Sequence, residues 1–126
     1  MKKLFFLLLF FPFFISCGSS TKLVWKWTLE SRCYAQPVLD GKNVYIVTQK
    51  GEVVSGEIET GNKHWSMKVN GAILGDPDFD RDHVFVATQN GSVIALKKKD
   101  GSVFWSASYP DEAFTAPLTV VNRMLL

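Results

Sequence analysis

The chain has 126 residues, enough for one small domain, and 47% of them are hydrophobic and 13% aromatic. That composition excludes an intrinsically disordered chain. The formal charge of +2 comes from Lys2 and Lys3; without them twelve basic side chains face twelve acidic ones, which gives no argument for nucleic-acid binding.

The first element is a leader. Lys2 and Lys3 form a positive n-region, and Leu4 to Ile15 is an apolar run too short to span a bilayer as a helix. Phe14-Ile15-Ser16-Cys17 follows, which resembles a bacterial lipobox. The resemblance implies a signal peptide over residues 1–16, cleavage before Cys17, acylation of that thiol, and a lipidated tether over 17–24. Several acyl chains would then hold the protein on a membrane, each buried CH₂ contributing about 0.8 kcal/mol. An ordinary secretory signal or an N-terminal anchor helix are the alternatives. If Cys17 is lipidated, Cys33 has no partner in the chain, and a buried, unpaired Cys33 is the expectation.

The rest of the chain repeats with a period of 40 residues and no gap. Trp25, Trp65 and Trp105 share the offset, as do Pro37, Pro77 and Pro117. Gly51 pairs with Gly91, Gly61 with Gly101, Thr48 with Thr88, and Gln49 with Gln89. Within one unit, a short extended piece near Pro37 runs to Asp40-Gly41. Two β-rich runs follow, Val44–Gln49 and Glu52–Glu59, divided by Lys50-Gly51. Thr60-Gly61-Asn62 is the next turn and leads into a strand around Trp65. The second unit repeats the plan, with Asn90-Gly91 as its hairpin signal. Each unit therefore predicts four short strands. Val44–Val47 and Val93–Leu96 are apolar on both faces, which predicts sheets sandwiched between sheets. Four-stranded sheets stacked face to face at this period make a β-propeller.

The windows "SGEIETGNKHW" and "ALKKKDGSVFW" resemble the tryptophan-docking motif of quinoprotein-type (PQQ-like) propellers. Glu57, Thr60, Gly61 and Trp65 match in one unit; Ala95, Gly101 and Trp105 match in the other, with Asp100 in place of Thr. Lys97 departs where an acid is usual, and Gly56 where Leu is usual. The resemblance implies an all-β, partial β-propeller over residues 25–126. Blades are expected over about 37–69 and 77–109, with a partial blade over 116–126. The repeat residues Trp25, Gly51, Thr60, Gly61, Trp65, Gly91, Gly101 and Trp105 are then structural. Residues 25–29 are expected to form the last strand of a blade whose other strands are missing. The chain reads as an N-terminal fragment of a longer propeller, with ends that cannot bury their apolar faces alone and with poor solubility or self-association as the consequence.

Other constellations carry less. Asp76, Asp78, Asp80 and Asp82 alternate, but the EF-hand spacing fails at His83 and Gln89, so a solvated loop is expected and no metal site. Lys97-Lys98-Lys99 reads as a solvated turn. No nucleophile pattern is present. Three functional branches follow from the resemblance. One is a BamB-like lipoprotein of the outer-membrane assembly machinery, a non-enzymatic protein-binding scaffold with no cofactor. The second is a dehydrogenase holding pyrroloquinoline quinone and Ca²⁺; such enzymes use adjacent cysteines, which this sequence lacks. The third is a sensor ectodomain. The lipobox favours the first, with a lipid anchor, a periplasm-facing outer-membrane location and a protein partner in that machinery.

Overall fold

A computed structural model of the chain describes residues 22–117, 119–121 and 124–125. Among these every regular element is a strand. The first sheet is β1 (Val38–Asp40), β2 (Asn43–Val47), β3 (Glu52–Glu57) and β4 (Lys63–Lys68). The second is β5 (Asp78–Phe79), β6 (His83–Ala87), β7 (Ser92–Lys97) and β8 (Val103–Ser108). Both are antiparallel meanders in strand order β1-β2-β3-β4 and β5-β6-β7-β8. A third hairpin, β9 (Val120–Val121) with β10 (Met124–Leu125), follows. These are two blades of a β-propeller and part of another.

Many turn bonds of the first blade recur in the second forty residues later. Gln49 N–H donates to the Arg32 carbonyl and Gln89 N–H to the Ala72 carbonyl, each at 2.8 Å. Val69 N–H donates to Gly51 O as Tyr109 N–H does to Gly91 O. Ile58 N–H reaches Lys42 O as Lys98 N–H reaches Asp82 O. Even the irregularity repeats: a bulge falls between Ser55 and Gly56 opposite β4, and between Ala95 and Leu96 opposite β8. A bulge bends its strand and re-aims the side chains beside it. Here it lies next to Trp65 and Trp105, which pair with Ser55 and Ala95.

One face of each blade is buried in a core that lies between the two. Tyr45, Val47, Val53, Trp65 and Val69 of the first blade form one cluster with Val84, Val86, Ile94 and Leu96 of the second. Tyr45 is the hub: its ring lies 6.2 Å from Trp65 and 6.4 Å from Phe79. Burial pushes the Tyr45 phenol up from its ordinary value, Asp40 adds to this, and a hydrogen bond with Ser55 opposes it.

Two expectations are corrected. The inner strands are shorter than their apolar runs, β2 ending at Val47 and β3 at Glu57. Thr48 already turns: its hydroxyl accepts the Glu52 N–H at 3.1 Å, and its carbonyl accepts the Gly51 N–H. Residues 25–29 form no strand. They lie extended against the first blade, held by side chains instead of a backbone ladder.

Candidate functional site: the tryptophan docking seams

On β4 the bulge lies beside Trp65, whose ring reaches the second blade. The Trp65 indole N–H donates to the Lys98 carbonyl at 2.8 Å. Its ring covers Gly101, where φ is +75° and an added Cβ would overlap the indole. Forty residues earlier, the Trp25 indole N–H donates to Ile58 O at 2.5 Å, and the Trp25 ring covers Gly61, φ +72°. The acceptor is thus a turn with a left-handed glycine under the ring and a carbonyl three residues before it. Only glycine adopts that φ without strain and leaves room for the ring. The glycine and tryptophan spaced within one unit therefore serve two different contacts: Trp65 meets Gly101, and Gly61 meets Trp25.

Gly51 and Gly91 act elsewhere. Both have positive φ, and a side chain at either would collide with backbone carbonyls, those of Val69 and Gly71 or of Tyr109 and Glu112. They lie in the β2–β3 and β6–β7 hairpins, against which the chain leaving each blade packs.

Both departures from the motif have physical partners. Thr60 accepts the Asn62 N–H at 3.2 Å and donates to Glu57 at 2.7 Å. Asp100 accepts the Ser102 N–H at 2.9 Å and the Ser102 hydroxyl at 2.6 Å. A carboxylate at position 100 needs no acid at 97. These Ser102 bonds hold the Asp100 carboxyl below its ordinary value, and the positive charges of Lys97 and Lys99 help. Gly56 is small because Trp27 lies on it: a Cβ there would overlap the Trp27 ring. The Trp27 indole also donates to Gly61 O at 2.6 Å, and Lys63 Nζ sits 5.7 Å from the Trp27 ring centre.

Lys98 is a correction to the solvated-turn expectation. Its Nζ donates to Asp40 of the first blade at 2.5 Å and lies 4.4 Å from the Phe79 ring centre. Its side chain is only 15% exposed. Sequence reasoning missed it, since Lys97, Lys98 and Lys99 look alike; the offset-40 partner of Lys98 is Ile58, an apolar position, and that was the available signal.

The aspartates of 76–82 serve the loops. Asp76 accepts the Gln36 N–H at 2.7 Å, tying the two units, and Asp78 accepts the Phe79 N–H at 2.8 Å. Asp80 accepts from Asp82 N–H, from His83 N–H, and contacts His83 Nδ1 at 3.2 Å. Burial pushes the Asp80 carboxyl up, but those donors outweigh it and hold it below its ordinary value. No three His, Cys, Asp or Glu among the described residues are grouped to hold a metal ion. Cys33 is exposed, not buried. Partial burial still pushes its thiol up, with Glu52 adding to the effect. Cys17 and the leader lie outside the described residues. The Asp80 carboxylate is taken by three donors, and Cys33 has no adjacent cysteine.

The crystal structure of BamB from Moraxella catarrhalis is similar, with TM-score 0.71 and 19% identity over 81% of this chain and 33% of that one. Quinohemoprotein alcohol dehydrogenase from Comamonas testosteroni is similar with TM-score 0.64 and 18% identity, over 73% of this chain and 16% of that one. A europium-containing methanol dehydrogenase gives 0.51 and 21%, over 58% and 15%. These likenesses show the fold, and this chain spans about a third of the BamB length. No curated protein sequence matches the chain. The family described as outer membrane protein assembly factor BamB matches residues 18–125, and with nearly all of its repeat inside that match the chain belongs to this family.

Proposed function

We propose that the chain is a lipid-anchored, periplasm-facing β-propeller piece that acts as a non-enzymatic protein-binding scaffold in outer-membrane protein assembly. The observation that carries the reading is the use of the motif tryptophans: Trp25 and Trp65 are spent on docking one unit to the next. The repeat thereby builds a packed body whose outward loops and edges are left for contacts. Family membership and the lipobox at Cys17 agree with this. A membrane anchor of several acyl chains would hold the scaffold at the bilayer surface.

The intact mass of protein extracted from a bacterial membrane tests the anchor. A product starting at an acylated Cys17 supports it; a product starting at Met1, or an unmodified Cys17, removes it. Separation of the membranes tests the location, which is lost if the protein is found only in the inner membrane. The dehydrogenase reading has the quinoprotein fold neighbours in its favour. It requires that pyrroloquinoline quinone with Ca²⁺ raise the melting temperature, since a ligand of the folded state stabilises it. No shift at saturating ligand is the outcome expected for the scaffold.

A further inference from the structure

The sequence holds two Asn-Gly pairs, Asn70-Gly71 and Asn90-Gly91. In such a pair the glycine amide nitrogen can attack the side-chain carbonyl carbon of the asparagine, and no glycine side chain hinders its approach. Attack needs two freedoms. The side-chain amide must turn onto the backbone, and the glycine N–H must be free to give up its proton. The two pairs differ in both.

Asn90-Gly91 is held. Asn90 Oδ1 accepts from the Thr88 hydroxyl, and Asn90 Nδ2 donates to the Asn70 carbonyl at 3.2 Å. The Gly91 N–H donates to the Thr88 carbonyl at 3.1 Å. Gly91 is also buried, and a Cβ there would overlap the Tyr109 and Glu112 carbonyls.

Asn70-Gly71 is not held in this way. It lies in the connection from β4 to β5, outside either sheet, and Asn70 is exposed. Among the described residues, neither the Asn70 side chain nor the Gly71 N–H has a hydrogen-bond partner. The Asn70 backbone carbonyl alone is engaged, by Asn90. The connection joins two blades that are both described, so its exposure does not follow from where the sequence stops.

We propose that Asn70 is a site of spontaneous deamidation, with Asn90 protected by the fold. The Gly71 nitrogen bonds to Asn70 Cγ, the Cγ–Nδ2 bond breaks, and the side-chain nitrogen leaves as ammonia with the Gly71 proton. Water then opens the five-membered imide at one of its two C–N bonds, giving aspartate or isoaspartate. Isoaspartate routes the main chain through Cβ and Cγ, adding one carbon to the connection and turning the former Asn70 carbonyl into a free carboxylate. There is little slack to absorb it: a Cβ on Gly71 would fall 2.8 Å from Asn90 Oδ1, and one on Gly51 would fall 2.5 Å from the Gly71 carbonyl oxygen. The modification therefore strains the joint between the blades. It does not rest on the proposed function.

Ageing the full chain in mild detergent at mildly alkaline pH tests this by peptide mass mapping. Trypsin cuts after Lys68, Arg81 and Lys97, so each pair falls in its own peptide, 69–81 and 82–97. The 69–81 peptide should gain the mass of an amide-to-acid change and elute as two products. It should do so about tenfold faster or more than 82–97, because the bonds that must break first at Asn90 slow it by about that factor. In urea the two peptides should react alike. No reaction at Asn70, an 82–97 peptide that keeps pace in the folded chain, or a difference that survives in urea overturns the proposal. The aged chain should also melt lower than a fresh one, and Asn70→Gln aged beside it should not; an unchanged melting temperature overturns the strained joint.

Discussion

Gly41 and Gly101 both sit in turns with positive φ, +57° and +75°, but their surroundings differ. A Cβ on Gly41 meets nothing within 4 Å, whereas one on Gly101 overlaps the Trp65 ring. Gly41→Ala should therefore cost only the left-handed strain, about 1–2 kcal/mol. Gly101→Ala should cost a further 1–3 kcal/mol or so from overpacking. Urea unfolding of the two variants measures the difference, and equal losses would show that Trp65 does not press on Gly101. Cys33 gives a second prediction at this scale. Being exposed, it should alkylate to completion without unfolding, but more slowly at pH 7 than a free thiol, because its raised value leaves less thiolate. The glycine and tryptophan positions were legible in the sequence from their period alone. Their pairing was not, because a period shows that contacts recur and does not show that each joins neighbouring units. Cys33 was misread because it lies in an irregular stretch, where no alternation separates inside from outside.

The elements are set by turns as much as by apolar runs. Thr48 and Thr88 are fully buried, and each hydroxyl accepts the N–H four residues on, that of Glu52 or Ser92, at 3.1 Å. Thr48→Val should leave that donor unpaired and cost about 1–3 kcal/mol. Gln49 repeats just as faithfully, but its backbone N–H makes the contact to Arg32 and its residue is exposed. Gln49→Ala should stay within about 0.5 kcal/mol of wild type. Chemical denaturation of both variants checks the contrast. Identity at the repeat offset thus marked both residues, and only the contacts show which side chain matters. The same limit explains residues 25–29. Their period matches β4 and β8, but a strand needs a neighbouring ladder, and here two indoles supply the attachment instead.

At the scale of the molecule, two blades share one core, so stability should respond as a unit. Asp80 is held below its ordinary value of 3.8 in the folded chain. Its contribution is therefore present above that value and is lost as pH falls through the lower folded value. Melting temperature should fall below about pH 4, and Asp80→Asn should flatten that part of the profile. Glu30 and Asp100 are shifted the same way, but both are exposed and should add little. Tyr45 acts at the other end: its raised value keeps its contribution intact up to its ordinary value of 10, and the contribution is lost as pH climbs through the folded one.

The seams themselves carry the whole description, and one comparison reaches them directly. Trp65 and Trp105 occupy equivalent positions on equivalent strands, each paired across a bulge, to Ser55 and to Ala95. They differ in that Trp65 is docked on Lys98 and Gly101 while Trp105 is exposed. Strand propensity and local pairing therefore cancel between them. Urea unfolding of Trp65→Ala and Trp105→Ala isolates the docking. The expected result is a loss of about 3–5 kcal/mol for Trp65→Ala and on the order of 1 kcal/mol for Trp105→Ala. Equal losses at the two positions would contradict the inter-blade seam as the feature that holds this chain together.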